Sequence, residues 1–283
     1  MRKAMVCLLM AGVLVASAGC GGNVTKSGTI TIKGSDTMVI LGQRWAEMYM
    51  HHNAGITVQV TGGGSGTGIA ALINGGTDIC ESSRPMKEKE REQVKKRHGK
   101  DPKEIPVALD GVAVYVHEKN PIPSISIPQL KALYTGKIAD WKDLGGPAGR
   151  IVAYSRENNS GTYVYFKEHV LGNEDFAADV QTLPGTAAVV NAVSKDPASI
   201  GYGGIAYGSG IRAIPVSKDG ATSPVAPSLE TVQDGTYPAS RELYFYTIGE
   251  PAGAAKAFID WVLGGEGQKV CEEVGYYPLR KKS

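Results

Sequence analysis

The chain has 283 residues, 42% of them hydrophobic and 20% charged, which is the make-up of a globular protein with enough material for two lobes and a cleft. A formal net charge of +2 gives no basic excess and so argues against a nucleic-acid partner. Past the N-terminus, no run reaches the roughly 20 apolar residues that a membrane span needs.

Met1-Arg2-Lys3 is a short basic start, residues 4–16 are apolar, and Ser17-Ala18-Gly19 are small, which together read as an export signal. Ser17-Ala18-Gly19-Cys20 resembles a bacterial lipoprotein cleavage box, in which the cysteine becomes the lipidated first residue; Ser17 stands where leucine is usual. The expectation is a signal peptide over 1–19, a lipid on Cys20 and a small, polar tether over 20–27. That arrangement holds the body at the periplasmic or cell-surface face of a bacterial membrane. Removing 1–19 takes away Arg2, Lys3 and no acid, bringing the net charge from +2 to zero, so any anion must be held by local groups. Cys80 and Cys271 remain in the body; an oxidising compartment permits a disulfide between them, and two buried free thiols are the equal alternative.

The body alternates β-branched runs with amphipathic stretches, the pattern of an α/β protein whose sheets are covered by helices. Alternation predicts a strand over 28–33, the turn Gly34-Ser35-Asp36, and a helix over 37–50 with Ile40, Leu41, Trp45 and Met48 inward. A strand over 56–61 runs into a glycine-rich turn, and an apolar helix follows over 69–74. A short strand over 77–80 ends in Glu81-Ser82-Ser83-Arg84-Pro85, and the charged run 87–103 reads as a solvated helical face. Residues 110–117 form an apolar strand suited to cross between lobes. Pro128 opens a helix through Tyr134, the strand 150–154 delivers the segment Ser155 to Thr162, and a helix over 163–170 leaves it. A helix over 187–194, strands over 200–202, 211–216 and 243–247, and helices over 252–263 and 268–274 complete the chain. The lobes expected from this order are 28–110 with 221–283, and 111–220.

Three places share one grammar, a strand followed by a turn of Gly, Ser and Thr that opens a helix: Gly34-Ser35-Asp36-Thr37, Gly64-Ser65-Gly66-Thr67 and Ser160-Gly161-Thr162. A helix N-terminus offers unpaired N–H groups and the positive end of a dipole, hydroxyls add donors, and Arg156 adds a planar fork, so converging turns of this kind suit a tetrahedral oxyanion. Singly, each turn is also an ordinary cap. None matches a nucleotide-binding loop, since residues 62–68 lack the lysine of a Walker motif.

With Gly34-Ser35-Asp36-Thr37-Met38, residues 62–68, Ser82-Ser83-Arg84-Pro85, residues 130–138, Ser155 to Thr162 and Ile200-Gly201-Tyr202 in view, the chain resembles the phosphate-binding proteins of bacterial Pst-type uptake systems. The resemblance covers nearly all of the body. It implies a two-lobed type II periplasmic binding protein fold with a ligand cleft between the lobes, no enzymatic activity and no cofactor. It also implies a monomer that gives its ligand to an ABC permease. Phosphate contact is implied for Ser35, Thr37, Ser65, Arg156, Ser160, Gly161 and Thr162. Longer members carry a carboxylate at the place of Ser83, where it can accept the proton of monohydrogen phosphate, a proton that sulfate lacks. Here Ser83 stands there instead, so Asp36 is the first candidate acceptor and Asp110 the second, while Arg84 is expected to contact the ion.

Two other readings remain. Sulfate or molybdate would suit the same donors. A phosphatase or hydrolase would use Ser160 as nucleophile, but the sequence sets no histidine beside it, and the Gly-x-Ser-x-Gly elbow is missing there. Paired His or Cys spacing for a metal is missing as well.

Overall fold

The computed structural model describes residues 28–208 and 210–280. The signal peptide, the tether and the lipidated Cys20 lie outside these residues.

The chain opens with β1 (Gly28–Gly34), α1 (Val39–His52), β2 (Ile56–Thr61), α2 (Ser65–Asn74) and β3 (Ile79–Ser82), in which β2 and β3 both pair in parallel with β1. The strand order β2-β1-β3 makes β1 the point where chain connections diverge to either side, which is where α/β sheets hold ligands, beyond the carboxyl ends of the strands. Helix α3 (Glu88–His98) buries only Val94, as its charged sequence predicts.

Strand β4 (Pro102–His117) is twice as long as the sequence suggested. Residues 102–109, interrupted by Pro106, do not alternate cleanly, which hides the first half of the strand. That half pairs with β11 (Ser240–Ile248), and the second half pairs with β8 (Ser199–Gly204) and β9 (Ile211–Ile214), all antiparallel. One strand therefore runs through both halves of the molecule.

Between β4 and β11 come β5 (Ile125–Ser126), α4 (Ile127–Tyr134), β6 (Val152–Arg156), α5 (Gly161–His169), β7 (Gln181–Leu183) and α6 (Gly185–Val193). After β9 come β10 (Val216–Ser217) and α7 (Leu229–Gln233), and the C-terminal helices are α8 (Gly253–Leu263) and α9 (Gly265–Val274). The main sheet reads β2-β1-β3-β11-β4-β8-β6-β7, with β9 also on β4, while β5 and β10 form a separate pair.

Two principal cores flank the crossing. Trp45, Leu41, Phe245, Phe258 and Val270 anchor one, between the first sheet face and α1, α8 and α9. Val114, Tyr134, Trp141, Phe166 and Tyr202 anchor the other, where Phe166 stacks on Tyr202 with centroids 3.9 Å apart. The two-lobed α/β fold expected from the sequence is thus present. Cys80 and Cys271 are both buried free thiols, one on β3 and one on α9, which settles that alternative.

Candidate functional site

The three turns meet where the two cores face each other. From the first, Ser35 and Thr37 are each 1% exposed, and the Thr37 hydroxyl lies 2.8 Å from that of Thr162 on α5. Asp36 accepts the Gly63 N–H at 2.7 Å and pairs with the Arg156 guanidinium at 2.8 Å. Arg156 is 1% exposed, and its other terminal nitrogen donates to the Thr186 hydroxyl at 2.7 Å. Burial lowers the guanidinium pKa from its usual value, and the Asp36 carboxylate opposes that shift.

The second turn enters α2 four residues earlier than its apolar pattern suggests, so Ser65 is the first helical residue and is fully buried. Gly64 takes φ of 89°, and a side chain there would meet the Asn159 carbonyl at 2.7 Å. Both facts require glycine. The Ser65 hydroxyl accepts the Ser83 N–H at 3.1 Å and lies 3.3 Å from the Ser83 hydroxyl.

At the third turn Ser160 caps α5 by accepting the Tyr163 N–H at 3.3 Å. Gly161 follows with no room for a side chain: a Cβ would sit 2.4 Å from the Ser65 hydroxyl and 2.6 Å from that of Ser83. The backbone of α5 thus enters between the serines of the opposite lobe, and the first N–H groups of the helix, unpaired by geometry, face the same place.

Two buried donors in these turns, the Ser35 hydroxyl and the Arg156 Nε–H, have no partner among the described residues. Buried donors are nearly always satisfied, so such orphans beside an ion pair and two helix starts mark a place built for an acceptor.

Of the residues expected at the site, Ser35, Asp36, Thr37, Ser65, Ser83, Arg156, Ser160, Gly161 and Thr162 are brought together. Arg84 commits both of its terminal nitrogens to Glu90 at 2.8 Å, one of them also donating to the Pro85 carbonyl, while its buried Nε–H, like that of Arg156, has no partner among the described residues. Glu90 lies in the first turn of α3. Asp110, the second candidate acceptor, is fully buried, with Oδ2 accepting twice from Arg241 and Oδ1 accepting the Ile205 N–H at 3.1 Å.

A model of the PBP superfamily domain matches residues 22–266. The chain is 34% identical over 273 residues to the phosphate-binding protein PstS of Pseudomonas aeruginosa, across 90% of this chain and 84% of that protein. The chain belongs to the PBP superfamily, among its PstS-type members. The phosphate-binding protein PstS of Bacillus subtilis is 32% identical, across 98% of this chain and 94% of that one. Among solved structures, one described as a phosphate ABC transporter substrate-binding protein with bound phosphate, from Clostridium perfringens, superposes with a TM-score of 0.82 at 28% identity. It covers 89% of this chain and 100% of that one. An ABC-type phosphate transport receptor from Vibrio cholerae superposes with a TM-score of 0.70 at 26% identity, covering 88% and 99%.

Sequence reading alone missed three parts of this PstS-type site. Thr186, which holds Arg156, opens α6 after β7 and Gly185, a fourth instance of the strand–turn–helix grammar hidden because β7 has only three residues. Asn159 spans the turns: its amide donates to the Gly63 carbonyl at 2.9 Å, and its carbonyl accepts the Gly66 N–H at 2.8 Å. Arg241 lies in β11 just ahead of the apolar run 243–247 that the sequence marks as strand, and only its registry with Asp110 on β4 brings it inward.

Proposed function

We propose that this chain binds inorganic phosphate in the cleft between its lobes and delivers it to a membrane ABC permease for uptake. The observation that carries the reading is the pair of buried donors without a partner among the described residues, the Ser35 hydroxyl and the Arg156 Nε–H, at the Asp36–Arg156 ion pair. The phosphate-binding relatives and the phosphate-bound neighbour of similar fold support it. Phosphate is held by Ser35, Thr37, Ser65, Arg156, Ser160, Gly161 and Thr162, with Ser83 closing the second turn. Asp36, its side chain 22% exposed, keeps free lone pairs toward the cleft and accepts the phosphate proton.

Lobe I comprises 28–110 and the C-terminal return, and lobe II starts at 111. The return is drawn at β11 instead of at 221, because Val232, Tyr237 and Ala239 pack with Val112 and Val114. In this reading the chain acts as a monomer and performs no chemistry, with the Ser160 hydroxyl serving as a helix cap and a phosphate contact. A lipid on Cys20 tethers it outside a bacterial membrane, as the Ser17-Ala18-Gly19-Cys20 box suggests.

Titration calorimetry of the mature chain with phosphate, sulfate and molybdate tests the reading. Phosphate should give heat at micromolar concentration, and its absence would sink the proposal. Charge-assisted hydrogen bonds contribute about 1.5–3 kcal/mol, so Arg156→Ala should weaken phosphate by about tenfold to a hundredfold. Arg91→Ala, which removes a pair with Glu104 on the outer face, should leave affinity unchanged. Equal affinities in the two variants would take Arg156 out of the site.

A further inference from the structure

Arg241 lies behind the site, 8% exposed, with its Cα directly opposite Asp110 in the β11–β4 ladder. Its Nε and Nη2 both donate to Asp110 Oδ2, at 2.9 and 2.7 Å. Nη1 donates to the Ser83 carbonyl at 3.1 Å, and Nη2 also donates to the Thr162 hydroxyl at 3.0 Å. The guanidinium lies over the Tyr165 ring, 5.4 Å from its centroid. A single side chain therefore joins β4, the end of β3 and the first turn of α5.

The direction of these bonds matters. A guanidinium only donates, so the Thr162 oxygen must accept from Arg241 and cannot spend its own hydrogen there. Thr162 and Thr37 share a contact of 2.8 Å that consumes one of their two hydroxyl hydrogens. One hydrogen is left over, and when Thr37 donates within the pair it is that of Thr162, for which the side held by Arg241 is closed. The Ser65–Ser83 pair follows the same rule, because the Ser83 N–H fills an acceptor position on Ser65.

We propose that Arg241, clamped by Asp110, is a positioning residue that sets ligand affinity by forcing the Thr37–Thr162 pair to present a hydrogen to the bound anion. The inference rests on the phosphate-binding reading above. Asp110 holds the guanidinium fork in one orientation, and the planar fork is what lets one side chain serve Asp110, Ser83 and Thr162 together.

The test is a set of phosphate titrations with thermal unfolding as a check on folding. Asp110→Leu/Arg241→Leu removes both charges together, so it leaves no buried ion unpaired and is expected to fold. It should bind phosphate about tenfold or more weakly than wild type. In wild type, Thr162→Val should also cost about tenfold or more, whereas in the Leu/Leu background the same change should cost less than about threefold. Wild-type affinity in the folded Leu/Leu variant, or an undiminished Thr162→Val effect within it, would overturn the inference. Arg241→Lys gives an independent arm: it keeps the charge but not the fork, so affinity should fall about tenfold, and full retention would show that charge alone suffices. If wild type itself gave no phosphate heat, the underlying reading would fail first. Binding by wild type with unaffected variants removes only the role of Arg241.

Discussion

At the scale of single residues, the site is a set of donors with one partly exposed acid, Asp36, among them. Sulfate and phosphate present nearly the same oxygens to such donors, so discrimination falls to the group that can take a proton from the ligand. Asp36 already accepts from Gly63 and Arg156, and each of its oxygens has a lone pair to spare. Asp36→Asn turns part of that acceptor into a donor. It should reduce phosphate affinity by about tenfold or more while leaving sulfate binding equal or stronger, measured as the ratio of the two affinities by competition titration. An unchanged ratio would move the acceptor role to another group. The Gly, Ser and Thr residues of the three converging turns were legible in the sequence because each sits in a short, recognisable turn. Arg241 was not, because nothing local distinguishes a buried arginine from a solvated one; its environment comes from a strand pairing 131 residues away in sequence.

At the scale of elements, strand β3 carries an acid where the fold has no use for a charge. Glu81 is fully buried on the face packed under α1, both carboxyl oxygens lack partners, and Oε1 lies against Gly42, where a Cβ would stand 2.2 Å away. Desolvation pushes its pKa well above the ordinary glutamate value, so the native state holds the proton more tightly than the unfolded chain does. Its contribution to stability is therefore whole below a pH of about 4.3 and is lost as pH rises through the folded pKa. Glu81→Met keeps the length and removes the titration. The variant should be more stable by about 1–3 kcal/mol at mildly alkaline pH, and denaturant midpoints taken across neutral pH should fall less steeply than those of wild type. Parallel slopes for the two proteins would refute this account of Glu81. Element boundaries were legible where capping residues and periodicity agreed, as in α4, where Ser126 and Gln129 form a capping box around Pro128. They were lost where polar ligand residues begin a helix, because Ser65 and Gly161 look like loop and count as helix.

At the scale of the molecule, hydrogen bonds at the edge of the site join the two lobes. Asn159 reaches across to Gly63 at 2.9 Å and to the Thr67 hydroxyl at 3.3 Å, and Tyr207 donates to the Asp36 carbonyl at 2.6 Å. Two hydrogen bonds at about 0.5–1.5 kcal/mol each are enough to shift an open–closed balance severalfold or more. Asn159→Ala should therefore enlarge the radius of gyration of the ligand-free protein in small-angle scattering, and saturating phosphate should bring it back. A ligand-free radius equal to that of wild type would show that Asn159 does not hold the lobes together.

The sheet order also has a meaning in time. β11 lies between β3 and β4, antiparallel to both, yet it is the last strand to be made. While the chain emerges from its N-terminus, β1, β2 and β3 can assemble early. The inner edge of β3 and the near edge of β4 then stay open until residue 248 has appeared. Such exposed edges favour pairing with neighbouring chains. The first lobe is thus begun first and finished last, and a synthesis interrupted shortly before residue 240 leaves an unfinished sheet instead of a smaller stable domain.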